Sequence, residues 1–187
     1  INQTKRLAQN LGLNFSYGRT YKKDNGWSGK AVLSTFPIKF SQNILLEKHK
    51  NEVQRSILNI VLDYKGLDLH IFHTFLDETD NNIIKIKNIK EIISEKNIQN
   101  GYTMITGSFQ FDNENGEIEN FGNNFTNVLD SADSSKSLTY PTFKPQDQYD
   151  YIFLTDKFKI LQQEVINNEV TAKTSQHLPV YTQIKLK

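Results

Sequence analysis

Two apolar stretches separated by a glycine turn constrain the fold of this chain more than any other feature. Residues 56–64 and 67–76 have the apolar patterns of strands, and Lys65 and Gly66 between them have the composition of a tight turn. Because the connection is so short, the two strands pair antiparallel as a hairpin. The chain is therefore expected to contain a sheet with antiparallel pairing.

The clearest helical pattern follows this hairpin, at residues 81–98. Isoleucines recur there at intervals of three and four, with Lys and Glu between them, and Thr79 and Asp80 are suited to cap the start of the helix. A second helix is predicted at residues 4–11. Further strands are predicted at residues 15–21, 31–33, 102–106, 151–154, 158–166 and 180–186. Strands outnumber helices without continuous βαβ alternation, so periodicity predicts a mixed α/β or α+β domain and no function.

Length, charge and cysteine content limit the class of protein. The chain has 187 residues, enough for one core, and residues 1–187 are treated as a single domain. Its formal net charge of +1 disfavours a strongly basic nucleic-acid binder. No apolar run approaches the roughly 18 residues that span a bilayer, and the absence of cysteine excludes disulfides and thiolate metal sites. Since the sequence begins at Ile1, the compartment stays open, including a secreted or periplasmic location after signal removal.

Five short segments carry the chemical information, and they occur in a fixed order. They read G-K-A-V-L-S-T-F-P-I, H-T-F-L-D, G-S-F-Q, Y-D-Y-I-F and S-Q-H-L-P-V, at residues 29–38, 73–77, 107–110, 149–153 and 175–180. They resemble the signature of the endonuclease/exonuclease/phosphatase (DNase I-like) family, which reads G-x-A-I-L-S-x-x-P-I, N-T-H-L-D, G-D-F-N, x-D-Y-I-F and S-D-H-L-P-V. Each segment alone is a weak signal, whereas five in order are strong evidence of descent. The resemblance covers nearly the whole chain.

The resemblance implies a fold and a chemistry. The family fold is an α/β four-layer sandwich, with two facing mixed sheets and helices outside. The family hydrolyses phosphodiesters or phosphomonoesters with a divalent cation, usually Mg²⁺. In such a site carboxylates hold the cation, and the cation neutralises charge on the phosphate oxygens. A base relieves the attacking water of a proton, and hydrogen-bond donors stabilise the charge that develops.

Four positions that should carry this chemistry hold other residues. The G-D-F-N aspartate, which orients or activates the water, is Ser108 here, and its asparagine, a phosphate-side donor, is Gln110. The N-T-H-L-D histidine, a phosphate contact, is Phe75, and the S-D-H aspartate, a metal-site carboxylate, is Gln176. Phe75 is expected to pack in the space of the histidine. No metal and no cofactor are therefore expected. Mg²⁺ is expected as a cofactor only if the chain is an active enzyme.

Two of the residues that the family uses in catalysis are retained. Asp150 and His177 match the aspartate of D-Y-I and the histidine of S-D-H, and we expect a hydrogen bond in which Asp150 sets the tautomer of His177. Because the other four groups have changed, a structural role for this dyad is favoured over a catalytic one. His49, His70 and His73 are expected to be ordinary strand or loop residues.

The family's first two strands have no counterpart in this sequence. They would precede Ile1, and the second of them would carry a metal-binding glutamate. The sheet is therefore expected to lack its N-terminal strands, which leaves an open edge and apolar surface. Either further upstream chain or another protein chain would cover that gap.

Two functions remain open at this stage. In the first, the chain is a pseudoenzyme that acts as a binding or assembly module for a protein, a glycan or a phosphate-bearing ligand. In the second, it is a Mg²⁺-dependent phosphodiesterase or phosphatase whose missing glutamate lies upstream of Ile1. Loss of one base or donor typically costs about 10²- to 10⁴-fold in rate, so four changes favour the first. Nucleic acid is not expected as a partner, because the loops at residues 112–124 and 131–140 are rich in Asn, Asp and Ser.

Overall fold

The computed structural model describes residues 2–76, 82–96, 98, 100–110, 125–130 and 134–187. Thr79 and Asp80, the caps predicted for the long helix, lie outside the described residues, as do Asp77 and the loop at residues 112–124. In chain order the elements are α1 (Gln3–Leu11), β1 (Asn14–Lys23), β2 (Gly26–Ser34), β3 (Ile38–Leu45), β4 (Ser56–Tyr64), β5 (Leu67–Phe75), α2 (Asn82–Glu95), β6 (Thr103–Ser108), β7 (Phe125–Asn127), a 3₁₀ turn (Ser134–Lys136), β8 (Asp150–Thr155), β9 (Phe158–Val165), α3 (Thr171–Thr174) and β10 (Val180–Leu186).

A six-stranded mixed sheet forms the centre of the fold. Its strand order is β3-β4-β5-β6-β8-β7. The strands β5 and β6 run parallel, and each other neighbouring pair is antiparallel. A parallel pair needs a crossover, and α2 lies in the chain between β5 and β6. The predicted hairpin is the antiparallel pair of β4 and β5, joined at Lys65 and Gly66.

The isoleucine stripe of α2 covers one face of this sheet. Ile86, Ile89 and Ile93 are buried in one cluster with the sheet residues Phe72 and Ile105. The interval of three and four residues places these isoleucines on one side of the helix, which explains why the sequence marks this element so clearly. The main hydrophobic core lies in this layer.

Two separate antiparallel hairpins lie on the opposite face of the sheet. The first is β1 with β2, and the second is β9 with β10. Val32 of the first and Ile160 and Ile184 of the second pack in one cluster with Leu58 and Leu154 of the large sheet. The family resemblance implies a second mixed sheet on this face. The described strands form these two hairpins there instead.

An open cleft separates the two hairpins. His73 of β5 lines one cavity together with β1 and β2, and a second cavity together with the start of β10. Ile152 lines the second cavity, and Ile71 and Met104 of the same sheet are, like Ile152, only partly buried. The centre of the large sheet is therefore less covered on this face than on the face that carries α2.

The predicted elements are present, and the structure adds two strands that the sequence did not suggest. Residues 38–45 form β3, an edge strand whose side chains are mostly exposed, so it lacks a continuous apolar signal. The other addition is β7, with three residues at the opposite edge. No helix among the described residues is long and apolar enough to cross a bilayer.

Candidate functional site

Three neighbouring strands of the large sheet bring their functional positions to one end of the sheet. Phe75 at the end of β5 pairs in register with Ser108 at the end of β6, and Ser108 pairs with Asp150 at the start of β8. Three positions that are far apart in sequence are thus adjacent. They border an open cavity of about 500 Å³, which His177 also lines.

The retained dyad forms the hydrogen bond that the sequence predicts. Nδ1 of His177 lies 2.8 Å from Oδ2 of Asp150, and the two side chains are 19% and 22% exposed. With Asp150 ionised, Nδ1 carries the proton and donates it, which leaves Nε2 as the other ring position available for exchange of a proton or contact with a ligand. Whether the dyad has a catalytic or a structural role stays a prediction.

A loop around Thr139 holds the dyad in place. The hydroxyl of Thr139 accepts hydrogen bonds from the backbone N–H groups of Tyr149 (3.1 Å) and Asp150 (3.2 Å). The Thr139 carbonyl accepts one from the N–H of Leu178 at 2.8 Å. Because Leu178 follows His177 directly, a single threonine fixes the backbone beside both residues of the dyad. The sequence alone does not indicate this role for Thr139.

Two tyrosines flank the imidazole. The Tyr140 and Tyr149 rings stack with centroids 5.0 Å apart, and they lie 4.9 Å and 6.2 Å from the ring of His177. Such contacts restrict rotation of the imidazole about its side-chain torsions. The residues around the dyad are therefore ordered for a fixed geometry.

The substituted positions offer little to a cation or a phosphate. Ser108 is buried, and its hydroxyl has no hydrogen-bond partner among the described residues. Gln176 is exposed, and the backbone of Gln110 has a φ of 43°, in the left-handed region. The Phe75 ring is 37% exposed and lies under the Arg55 guanidinium at 5.1 Å, so it is less enclosed than the sequence suggested.

Comparison with solved structures identifies the architecture. The chain superposes on a Bacteroides vulgatus endonuclease/exonuclease/phosphatase with a TM-score of 0.79 at 16% identity, covering 100% of this chain and 81% of that one. It superposes on a Bacteroides thetaiotaomicron mannosyl-6-phosphatase with a TM-score of 0.80 at 16% identity, covering 98% and 81%. For the human Nocturnin catalytic domain with bound sulfate the TM-score is 0.76 at 18% identity, covering 100% and 77%.

The chain has the endonuclease/exonuclease/phosphatase fold. No family model matches the sequence, and no curated protein matches it. The structural likeness therefore rests on backbone geometry at low identity, in agreement with the order of the five segments in the sequence.

The described residues at these strand ends do not by themselves form a ligand set for a magnesium ion. Mg²⁺ takes near-octahedral oxygen ligands and is usually held by one or two carboxylates. At the three strand ends the described carboxylate is Asp150, which is engaged by His177. Ser108 and Gln176 offer neutral oxygens, and the described residues contain no cluster of three His, Cys, Asp or Glu side chains suited to a metal.

The structure also places His73 in a less ordinary environment than expected. It is a strand residue of β5, and its Nδ1 lies 3.0 Å from the hydroxyl of Thr106. Burial, and then the charge of Lys30, lower its pKa to about 4, so the imidazole is neutral at pH 7. The sequence feature that could have indicated this environment is Lys30, a charged residue in the otherwise apolar segment 29–33.

Proposed function

We propose that this chain is a binding or assembly module built on a phosphoesterase fold, and that it lacks efficient metal-dependent phosphoesterase activity. The observation that carries the proposal is the set of side chains at the three adjacent strand ends, which are Phe75, Ser108 and Asp150. One ring, one hydroxyl and one carboxylate meet there, and the carboxylate is hydrogen-bonded to His177.

The chemistry of these groups supports this proposal. The Ser108 hydroxyl cannot act as a base at neutral pH, and the Phe75 ring offers no hydrogen bond to a phosphate oxygen. Loss of one base or one electrostatic donor typically costs about 10²- to 10⁴-fold in rate. Such losses do not add once the mechanism has failed, so we expect no activity above the background of a dyad variant.

The intact dyad favours one alternative. His177 is 19% exposed in a cavity of about 500 Å³, so a substrate could reach its ring. A structural neighbour is named as a mannosyl-6-phosphatase. The alternative is therefore a metal-dependent phosphodiesterase or phosphatase in which Asp150 and His177 act together and further carboxylates come from outside the described residues.

Hydrolysis assays with a matched dyad variant separate the two candidates. The purified chain and His177→Ala are assayed with bis(4-nitrophenyl) phosphate and 4-nitrophenyl phosphate, each with Mg²⁺ or Mn²⁺. Isothermal titration with the same ions is run in parallel. We expect equal background rates for both proteins and no saturable heat of metal binding. Metal-dependent turnover that disappears in His177→Ala and in Asp150→Asn would establish the hydrolase instead.

We also propose that another protein chain covers the cleft between the two hairpins. Ile71, Met104 and Ile152 of the large sheet are apolar and only partly buried. Among the described strands, each strand of the two hairpins has one edge without a strand partner, and such an edge can accept an extended segment. A photoreactive amino acid at position 152 should cross-link to a partner in cells, whereas one at Gln183, on the exposed side of β10, should not. Equal cross-linking at both positions would contradict a partner in the cleft.

A further inference from the structure

A buried lysine beside the cleft is held by two hydroxyl groups. Lys30 on β2 is 6% exposed. Its amino group donates hydrogen bonds to the Ser56 hydroxyl at 2.7 Å and to the Thr20 hydroxyl at 3.1 Å. The two hydroxyl oxygens lie 2.9 Å from each other. Side chains from β1 and β4 thus converge on one nitrogen atom of β2 and fix its position.

The hydrogen-bond partners of Lys30 carry no negative charge. No carboxylate forms an ion pair with it among the described residues. In contrast Lys85 on α2, which is also buried, lies 3.5 Å from the carboxylate of Glu52. Burying an ammonium group without a counter-charge is costly, and burial is the main cause that lowers the pKa of Lys30 to about 8. A reaction that converts this nitrogen to a neutral group therefore removes that cost.

Hydroxyl partners suit both the charged and the uncharged nitrogen. A hydroxyl accepts a hydrogen bond from an ammonium group, and after rotation of its O–H bond it donates one to a nitrogen lone pair. An ionised carboxylate can only accept, so it would hold the nitrogen in its charged form. Thr20 and Ser56 therefore allow Lys30 to react as a neutral amine, and they can keep a hydrogen bond to the product.

Lys30 lines a cavity of about 400 Å³ that is bordered by β1, β2 and β5. Tyr21 and Phe75 give the wall of this cavity aromatic surface, and Thr20 and Ser28 add hydroxyl groups. A volume of this size holds a small organic molecule, and the mixed aromatic and hydroxyl lining suits an uncharged one. A small carbonyl compound in this cavity would therefore lie beside a buried amine whose position is fixed.

We propose that Lys30 binds small neutral aldehydes in this cavity as covalent imines. The neutral amine attacks the carbonyl carbon and forms a C–N bond, and the carbonyl oxygen takes up two protons and leaves as water. Starting from the ammonium form, one ammonium group and one aldehyde give one imine, one water and one proton released to solvent. This inference goes beyond the proposed function, because neither the dyad nor a metal takes part in the reaction.

Reductive trapping with site-resolved mass spectrometry tests the proposal. Wild type, Lys30→Met and Lys39→Met are incubated with propanal at pH 7, and sodium cyanoborohydride converts each imine to a stable secondary amine. Lys39 is an exposed lysine paired with Asp68, so its variant removes one amine away from the cavity. We expect Lys30 to be alkylated at least roughly tenfold faster than the exposed lysines, because a larger fraction of its nitrogen is uncharged at pH 7. This fast adduct should be retained in Lys39→Met and lost in Lys30→Met.

Wild-type protein provides a second test that needs no variant. In urea at a concentration that unfolds the chain, Lys30 should be alkylated at the rate of the other lysines, because its burial is lost. In the folded protein, the amount of imine at a fixed propanal concentration, trapped by a short pulse of reductant, should increase up to about pH 8 and change little above it. Alkylation of Lys30 no faster than that of Lys39, the same selectivity in urea, a flat pH profile, or a fast adduct in Lys30→Met would each overturn the proposal.

Discussion

Ser108 and Asp150 show how one side chain decides whether a strand end can hold a cation. They are cross-strand partners, and both line the open cavity at the end of the sheet. Side chains of directly paired residues are about 4.5–5.5 Å apart at their Cβ atoms. Two carboxylates at this distance would repel each other and would share a divalent cation, whereas a serine and a carboxylate do neither.

The variant Ser108→Asp should therefore create a response to magnesium. Without Mg²⁺ we expect a lower melting temperature than wild type, because a second carboxylate is placed in a buried position. Mg²⁺ at about ten times its Kd should restore about 1.4 kcal/mol, or roughly 3–6 °C. Thermal melts at constant ionic strength measure the effect. The double variant Ser108→Asp with Asp150→Asn is the control, and a magnesium shift of the same size there would refute the shared-carboxylate explanation.

Lys30 makes the free energy of unfolding depend on pH, and the direction of this dependence follows from its pKa. Its folded-state pKa of about 8 lies below the ordinary value of 10.5, so the unfolded state binds more protons between these two pH values. Stability contributed by this residue therefore rises with pH across that window. Between pH 8 and pH 9.5 the free energy of unfolding of wild type should gain about 2 kcal/mol relative to Lys30→Met. Urea denaturation at both pH values measures this difference, and parallel pH profiles of the two proteins would contradict it.

At the scale of single elements, the end of β6 depends on the absence of a side chain. Gly107 has a φ of 150°, and a Cβ atom built on it would lie 2.0 Å from the carbonyl oxygen of Thr74 on β5. This close approach lets β5 and β6 pair in parallel up to Phe75 and Ser108. The glycine in the G-S-F-Q segment thus positions the site through the backbone.

Gly107→Ala should destabilise the protein by about 3 kcal/mol or more, because the strands must separate and the backbone conformation is strained. Gly26→Ala is the matched control, since its nearest atom beyond the neighbours is 3.8 Å away and its φ is not positive. Chemical denaturation monitored by circular dichroism compares the two variants. Similar losses in both would show that the approach to Thr74 does not limit the packing of β6.

The burial of each element determines how well the sequence could predict it. The helix α2 carries a strong period-3.6 pattern because it buries one face against the core. The strands β4 and β5 are marked instead by apolar stretches on either side of the turn at Lys65 and Gly66. The edge strand β3 carries a weak pattern because most of its side chains are exposed. The dyad was predicted because its two residues keep motif identities. The role of Thr139 could not be predicted, because it depends on hydrogen bonds across 10 and 11 residues to a loop and a strand start.

At the scale of the whole molecule, the cavity around Lys30 results from the meeting of distant segments. Thr20, Lys30 and Ser56 belong to three strands, and no local pattern predicts their contact. The motif at residues 29–38 marks β2 as a strand of the fold. The contacts of its lysine, however, depend on where the hairpin lies over β4 and β5. Tertiary packing, and not periodicity, therefore decides where charge accumulates in this chain.

The asymmetric covering of the sheet should appear as unequal protection of its backbone amides. In β4 the first five residues are buried and both edges are paired, with β3 and β5. Among the described strands, β9 and β10 pair only with each other, and Phe158 is the one fully buried residue in the two. Local opening costs less where fewer apolar groups are buried. Native-state hydrogen exchange should therefore give β9 and β10 opening free energies at least about 2 kcal/mol below those of β4. Equal protection of all three strands would mean that the second hairpin unfolds only together with the large sheet, and that the cleft is rigid.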